Sequence, residues 1–236
     1  MSYFELMGFG PRGWGEPMLR ATLMTVAVSV SAFLIGAVFG ILGAWAKLSR
    51  SLVARSVADA YTTVLRGVPD LLVIYLFYFG GSAILSAIGR AFGAQGFVGM
   101  PAFLTGAIAV GIVSGAFQTE VYRGAYLAIA KGELEAAKAV GMHRFTMLRR
   151  IIAPQVLRFA IPGLGNVWQL VLKESALISV TGLVELLRQS QIGSGSTRQP
   201  FAFFLTAAAL YLVLTTISTW GFRQAEEHAM RGVRRA

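Results

Sequence analysis

The 236-residue chain has no cysteine, so disulfides, thiolate chemistry and cysteine metal sites drop out of its description. Its two histidines, His143 and His228, lie far apart and form no local metal motif. Charge is scarce as well. Asp, Glu, Lys and Arg make up 14% of the residues against 56% hydrophobic, too little polar surface to cover a water-soluble globule of this size. Acidic residues are the scarcer sign, 11 against 21 basic, leaving a net charge of +10. Such an excess could signal nucleic acid, but here Lys and Arg punctuate apolar runs and no polar domain exists to present a basic face. No nucleic-acid partner is expected. No G-x-x-x-x-G-K-[ST] segment occurs, so the chain lacks the loop that would cradle the phosphates of ATP. The apolar stretches hold no nucleophile beside a base and no cluster of metal ligands, which argues against an enzyme. A cleavable leader is not expected, because Glu5, Arg12, Glu16 and two prolines precede the first long apolar run.

What the chain has in abundance is apolar sequence long enough to span a bilayer. Ala21 to Ala46 is free of charge, and 26 residues at about 1.5 Å per residue exceed the roughly 30 Å of hydrocarbon. Further apolar segments run from about Asp59 to Ile88, Ala102 to Tyr122, Phe159 to Val184 and Phe201 to Phe222. The expectation is a single all-α integral membrane domain over residues 1–236 with about five transmembrane helices. Gly36, Gly40 and Gly43 in the first span, and Gly111 and Gly115 in the third, fall at spacings that let helix backbones approach closely. Trp14, Trp45, Trp168 and Trp220 sit mostly near span ends, where indole rings anchor at the interface.

Cytoplasmic connections carry the excess of Lys and Arg. Fourteen basic residues fall on one side, among them Lys47, Arg50, Arg55, Arg123, Lys131, Lys138, Arg144, Arg149, Arg150, Arg158, Arg223, Arg231, Arg234 and Arg235. Five fall on the other: Arg12, Arg20, Arg90, Arg188 and Arg198. This places the N-terminus outside, the C-terminus inside, and the long loop before the fourth span in the cytoplasm.

That loop, about residues 123–158, contains Glu135-Ala136-Ala137-Lys138-Ala139-Val140-Gly141, then nine residues, then Ile151-Ile152-Ala153-Pro154. Residues 133–140 are good helix formers, and Gly141 suits a helix end. Met142, Phe145, Leu148 and Ile152 follow as an apolar stripe at helical spacing, which on pattern alone also describes an amphipathic helix lying on the membrane. The segment resembles the EAA loop of bacterial binding-protein-dependent ABC importers: EAA, three residues, Gly, nine residues, then I-x-L-P. Ala153 stands where that pattern has Leu. Arg66-Gly67-Val68-Pro69-Asp70, Glu120-Val121-Tyr122-Arg123-Gly124 and Lys173-Glu174-Ser175-Ala176-Leu177 extend the likeness over nearly the whole chain. Together they are similar to the polar amino acid subfamily, in particular to permeases for histidine, lysine, arginine and ornithine and for octopine and nopaline.

The resemblance implies the MetI-like type I ABC importer permease fold in a bacterial inner membrane. It also implies coupling to the ATPase through Glu135, Ala136, Ala137, Gly141 and Pro154. The implied partners are a homologous second permease, two copies of a separate ATPase that uses ATP and Mg, and a periplasmic substrate-binding protein. Membrane lipid is expected around the assembly, and no cofactor is expected in the subunit itself.

Ionisable groups inside spans are costly in lipid, so the second and fourth spans, with Arg66 and Asp70 in one and Lys173-Glu174 in the other, should face protein or water. Asn166, Gln169 and Lys173 share one helical face, with Glu174 turned by about 100°. Asp70, Asn166, Gln169, Lys173 and Glu174 are therefore candidates for a substrate pathway, the alternative being a structural pair of Lys173 with Glu174 or Asp70. Arg66 is expected to snorkel, and Glu120 and Arg123, three apart, to form a helical brace. A secondary transporter would also place ionisable groups at mid-membrane, but it would not need the EAA-type loop.

Overall fold

The computed structural model describes residues 3–11, 13–93, 96 and 99–230, so Arg12, Arg231, Arg234 and Arg235 of the charge count lie outside the described residues. Ten α-helices and no strand occur among them: α1 (Tyr3–Leu6), α2 (Gly15–Leu48), α3 (Leu52–Gly67), α4 (Asp70–Ala91), α5 (Ala102–Leu127), α6 (Lys131–Ala139), α7 (Arg144–Met147), α8 (Ala153–Glu174), α9 (Leu186–Thr197) and α10 (Pro200–Ala229). A π-helical turn at Leu148–Ile152 joins α7 to α8, and a 3-10 segment at Ser175–Thr181 extends α8.

Four of these helices, α2, α4, α5 and α10, are long and apolar enough to cross a membrane. The remaining expected span, the fourth in order, is the region of α8, whose Arg158, Asn166, Gln169, Lys173 and Glu174 dilute its hydropathy. Its boundaries also differ from expectation. The helix starts at Ala153, ends at Glu174 and continues as the tighter 3-10 turn up to Gly182, whose φ of 89° stops it. The expected second span is likewise not one helix. Val68 is extended (φ −94°, ψ 138°), as steric conflict with the ring of a following proline requires, and Pro69 then caps a new helix beginning at Asp70. α3 and α4 are thus separate elements, and Asp70 lies in the first turn of α4, where a carboxylate suits the positive end of the helix dipole.

Side-chain distribution is that of a protein solvated by lipid. Large apolar residues point outward, including Leu76 (71% exposed) and Leu212 (67%), while Thr25, Ser29, Ser114, Gln118 and Thr119 are buried. α5 is the central helix, packed against α2, α3, α4 and α8, and α10 closes the other side against α8 and α9. The α2–α5 pair has the most extensive packing. A Cβ at Gly40 would lie 2.6 Å from Cβ of Gln118, and one at Gly111 would lie 2.7 Å from Cγ2 of Ile35. Both glycine sets are therefore spent on one seam inside the chain rather than on an interface between chains. Gln118 bridges that seam: its Nε2 donates to the Phe33 carbonyl (3.0 Å) and to Ser114 Oγ (3.0 Å), and its Oε1 accepts from the Tyr122 hydroxyl (3.2 Å).

Steric closeness at the seam generates a paired prediction. Gly40→Ala forces the two backbones apart and should destabilise the detergent-solubilised protein by about 1–3 kcal/mol. Gly80→Ala in α4, where a Cβ meets nothing within 4 Å, should be neutral or raise stability by up to about 1 kcal/mol through helix propensity. Thermal unfolding followed by tryptophan fluorescence reads both. Equal melting points for the two variants would remove the seam from the stabilising contacts.

Candidate functional site

One end of the bundle is formed by the C-terminal ends of α2 and α5, the N-terminal end of α8 and the short helices α6 and α7. Residues 135–137 of the EAA-type segment lie on α6, which ends in a Schellman arrangement: Gly141 N donates to the Lys138 carbonyl (2.9 Å) and Met142 N to the Ala137 carbonyl (3.0 Å). This closure needs a left-handed residue. Gly141 supplies it at φ 71°, a conformation that costs an L residue strain. His143 then caps α7 by accepting from the Phe145 amide at Nδ1 (3.3 Å).

Ala137 is buried, whereas Glu135 and Ala136 are exposed. Ala136 and Ala137 share a groove of about 770 Å³ with Val140, Ile151, Pro154 and Phe159, and Gln155 Nε2 donates across it to Glu133 Oε2. Pro154 sits in the first turn of α8, where its missing N–H would have no intrahelical partner. Glu135 lies outside the lining of that groove and makes no ion pair among the described residues. The loop thus presents a short, capped helix whose outer face carries Glu135 and Lys138 beside a half-apolar furrow. That shape can dock against another protein.

Just inside this end, Lys47 of α2 joins two carboxylates. Its Nζ lies 2.9 Å from Asp59 Oδ1 on α3 and 2.6 Å from Glu120 Oε1 on α5, while Arg123 Nε holds Glu120 Oε2 at 3.0 Å. The hydrogen bond from Lys47, reinforced by its charge, holds the Asp59 carboxyl below its usual range. The Glu120–Arg123 brace is as expected, but the lysine that ties it to α2 and α3 was not singled out from sequence. Its signal was present: one cation at the end of an otherwise charge-free run of 26 residues. Arg66 does not simply reach for headgroups, because its guanidinium stacks over the Phe117 ring, 5.2 Å from the centroid.

The candidate pathway residues fall into two groups. Asp70, in the first turn of α4, and Glu174, in the last turn of α8, lie close enough for their carboxyls to interact. Glu174 is 6% exposed, and its Oε2 is buried without a hydrogen-bond partner. Two carboxyls are both acceptors when ionised, so the pair needs a shared proton or a bridging donor, and a cationic donor is the one that also offsets their mutual repulsion. Lys173 does not do so. It is exposed and forms no ion pair among the described residues, so the Lys173–Glu174 and Lys173–Asp70 braces are both absent there.

Asn166 and Gln169 face α10 instead, in a groove of about 370 Å³ shared with Thr219, Arg223 and Glu226. Gln169 Nε2 donates to Thr219 Oγ1 at 3.1 Å, and its Oε1 is buried and unpartnered. Sequence reasoning also missed Glu185. Fully buried, it caps α9 by accepting from the amides of Leu187 (2.8 Å) and Arg188 (2.7 Å) and from the Tyr211 hydroxyl (3.4 Å). A Glu at the border of an apolar run, followed by a helix, was the available signal.

Comparison with known proteins agrees with this arrangement. The octopine transport system permease protein OccQ of Rhizobium meliloti is 66% identical over 235 residues, covering 100% of this chain and 99% of its own. The histidine/lysine/arginine/ornithine transport system permease protein HisQ of Escherichia coli is 36% identical, covering 95% and 98%. Among solved structures, an amino acid ABC transporter crystallised with histidines matches with a TM-score of 0.76 at 31% identity, over 91% of this chain and 95% of that one. The inward-facing MetNI methionine ABC transporter gives the same TM-score of 0.76 at 16% identity, over 92% and 98%, a likeness of fold. Residues 36–227 match the family model for the inner membrane component of binding-protein-dependent transport systems, and the chain belongs to that family as a permease subunit of an ABC importer.

Proposed function

We propose that this subunit forms half of the translocation pathway for opines or basic amino acids in a bacterial inner membrane. In this reading the N-terminus is outside, and the end bearing α6 and α7 faces the cytoplasm. A homologous permease pairs with it, two ATPase copies dock below against Glu135, Ala136, Ala137 and the turn at Gly141, and a periplasmic binding protein delivers substrate from above. ATP and Mg are used by the ATPase.

The observation that carries the substrate class is the Asp70–Glu174 pair. Two carboxyls meeting inside the bundle, with one oxygen unpartnered, make a spot that favours a cationic group over a neutral one. Histidine, lysine, arginine and ornithine can all carry a side-chain cation, and octopine and nopaline are arginine conjugates that keep its guanidinium. The names of the relatives therefore agree with the chemistry of the pair. The substrate's own carboxylates require donors. Lys173, exposed next to Glu174, is placed to supply one, with Asn166 and Gln169 on the α10 side of the same helix.

Two outcomes test this reading. In the assembled importer, Glu174→Gln should reduce binding-protein-dependent uptake of arginine or octopine by about tenfold or more, the loss of one charge-assisted contact of about 1.5–3 kcal/mol, while glutamine uptake falls much less. An equal loss for all three substrates, with co-purification intact, would make Glu174 structural. At the coupling end, Gly141→Val should add about 1–3 kcal/mol of backbone strain and abolish stimulation of the ATPase by loaded binding protein. Gly141→Asn, which tolerates the left-handed region, should restore most of it. Stimulation that is normal in the valine variant would remove Gly141 from the coupling surface.

A further inference from the structure

An apolar groove of about 460 Å³ lies where the ends of α2 and α5 meet the π-helical turn, lined by Trp45, Ser49, Tyr122, Tyr126, Leu148 and Ile152 among others. Its mouth opens to the surface beside Trp45, which is 72% exposed at the end of a membrane-spanning helix. Three features in or next to its lining point to an occupant. Ser49 Oγ is buried there without a hydrogen-bond partner. Arg50 follows Ser49 and Arg149 follows Leu148, so each stands one residue, about 3.8 Å of backbone, from a lining residue. Both arginines are exposed and neither forms an ion pair among the described residues. Lys47, by contrast, is neutralised by Asp59 and Glu120, and Arg123 by Glu120.

We propose that this groove binds an anionic phospholipid, with one acyl chain along Trp45 and Ile152 and its phosphate held by Arg50 and Arg149. The two-part chemistry excludes simpler occupants. A soluble anion would leave the apolar lining uncovered, and a zwitterionic lipid would bring its own cation to a site that already has two. The unpartnered Ser49 hydroxyl is placed to donate to an ester carbonyl of the glycerol backbone. Trp45, Tyr122 and Tyr126 supply amphipathic rings of the kind that settle at headgroup level.

Trp45 makes the site observable. With Trp14, Trp168 and Trp220 replaced by Phe in the full-length chain, Trp45 is the remaining tryptophan, excited apart from tyrosine at the red edge, and lipids brominated on the acyl chain quench it on contact. In phosphatidylcholine vesicles carrying a minor fraction of brominated phosphatidylglycerol, quenching should exceed that from the same fraction of brominated phosphatidylcholine. At about fivefold in apparent affinity per arginine, Arg50→Gln with Arg149→Gln should remove the preference. The control variant Lys131→Gln with Lys138→Gln, at the same end of the molecule and also exposed, should keep it. Excess inorganic phosphate should not displace the lipid. Equal quenching by both lipids, an equal loss in the lysine control, or displacement by phosphate would each overturn the proposal. Unchanged thermal unfolding of both double variants ensures that the comparison reads binding.

Discussion

The rest of the structure depends on the close approach of α2 and α5. Lipid gives two apolar helices little reason to associate, since each buries as much hydrocarbon surface against acyl chains as against the other. What remains is dispersion at short range and hydrogen bonds that have no competitor from water. Glycines at 36, 40 and 43 on one helix and 111 and 115 on the other give the first, and Gln118, bonded across to the Phe33 carbonyl, gives the second. With α5 fixed, α3 is held by the Tyr61 hydroxyl on the Ile112 carbonyl (2.6 Å) and by the Lys47–Asp59 contact, and α8 packs along α5 as well.

On that frame the backbone breaks are placed where polar chemistry is needed. Pro69 ends one helix and starts another, which puts Asp70 at a helix N-terminus instead of in the middle of an apolar rod. The change from α-helix to 3-10 geometry at Ser175 comes directly after Glu174, so both carboxyls of the pair sit at element boundaries. The first turn of α4 leaves backbone N–H groups free for water or ligand, whereas the middles of the lipid-facing helices keep their backbone groups satisfied internally.

Much of this was legible in the sequence, for identifiable reasons. The spans show because hydrocarbon thickness sets a minimum run length, and α2, α5 and α10 lie where the apolar runs do. The EAA-type loop shows because the spacing between a helix, a left-handed glycine and a proline is local geometry, which residue order encodes directly. The split of the second span was hidden in plain view at Val68-Pro69, since the apolar run continues across a break that proline imposes on the backbone alone. The fate of Lys173 and Glu174 was not legible at all. They are sequence neighbours about 100° apart on a helix, and which one turns inward is decided by the helices packed against α8, chiefly α5, a distant segment. The same holds for Lys47, whose partners lie on two other helices.

The continuity of α7, the π-helical turn and α8 gives the molecule a lever. From Arg144 to Glu174 the helical backbone is uninterrupted, so the segment beside the docking furrow and the carboxyl at the far end belong to one rod of about 45 Å. The wide turn at Leu148–Ile152 adds a residue to its circumference and rotates the phase of everything beyond it. Pro162 removes the one backbone bond that would reach the Arg158 carbonyl and so marks the rod's weakest point in bending. The furrow beside α7 and the Glu174 carboxyl are therefore joined by one covalent helix whose backbone ladder has its gap at Pro162, about midway along the rod.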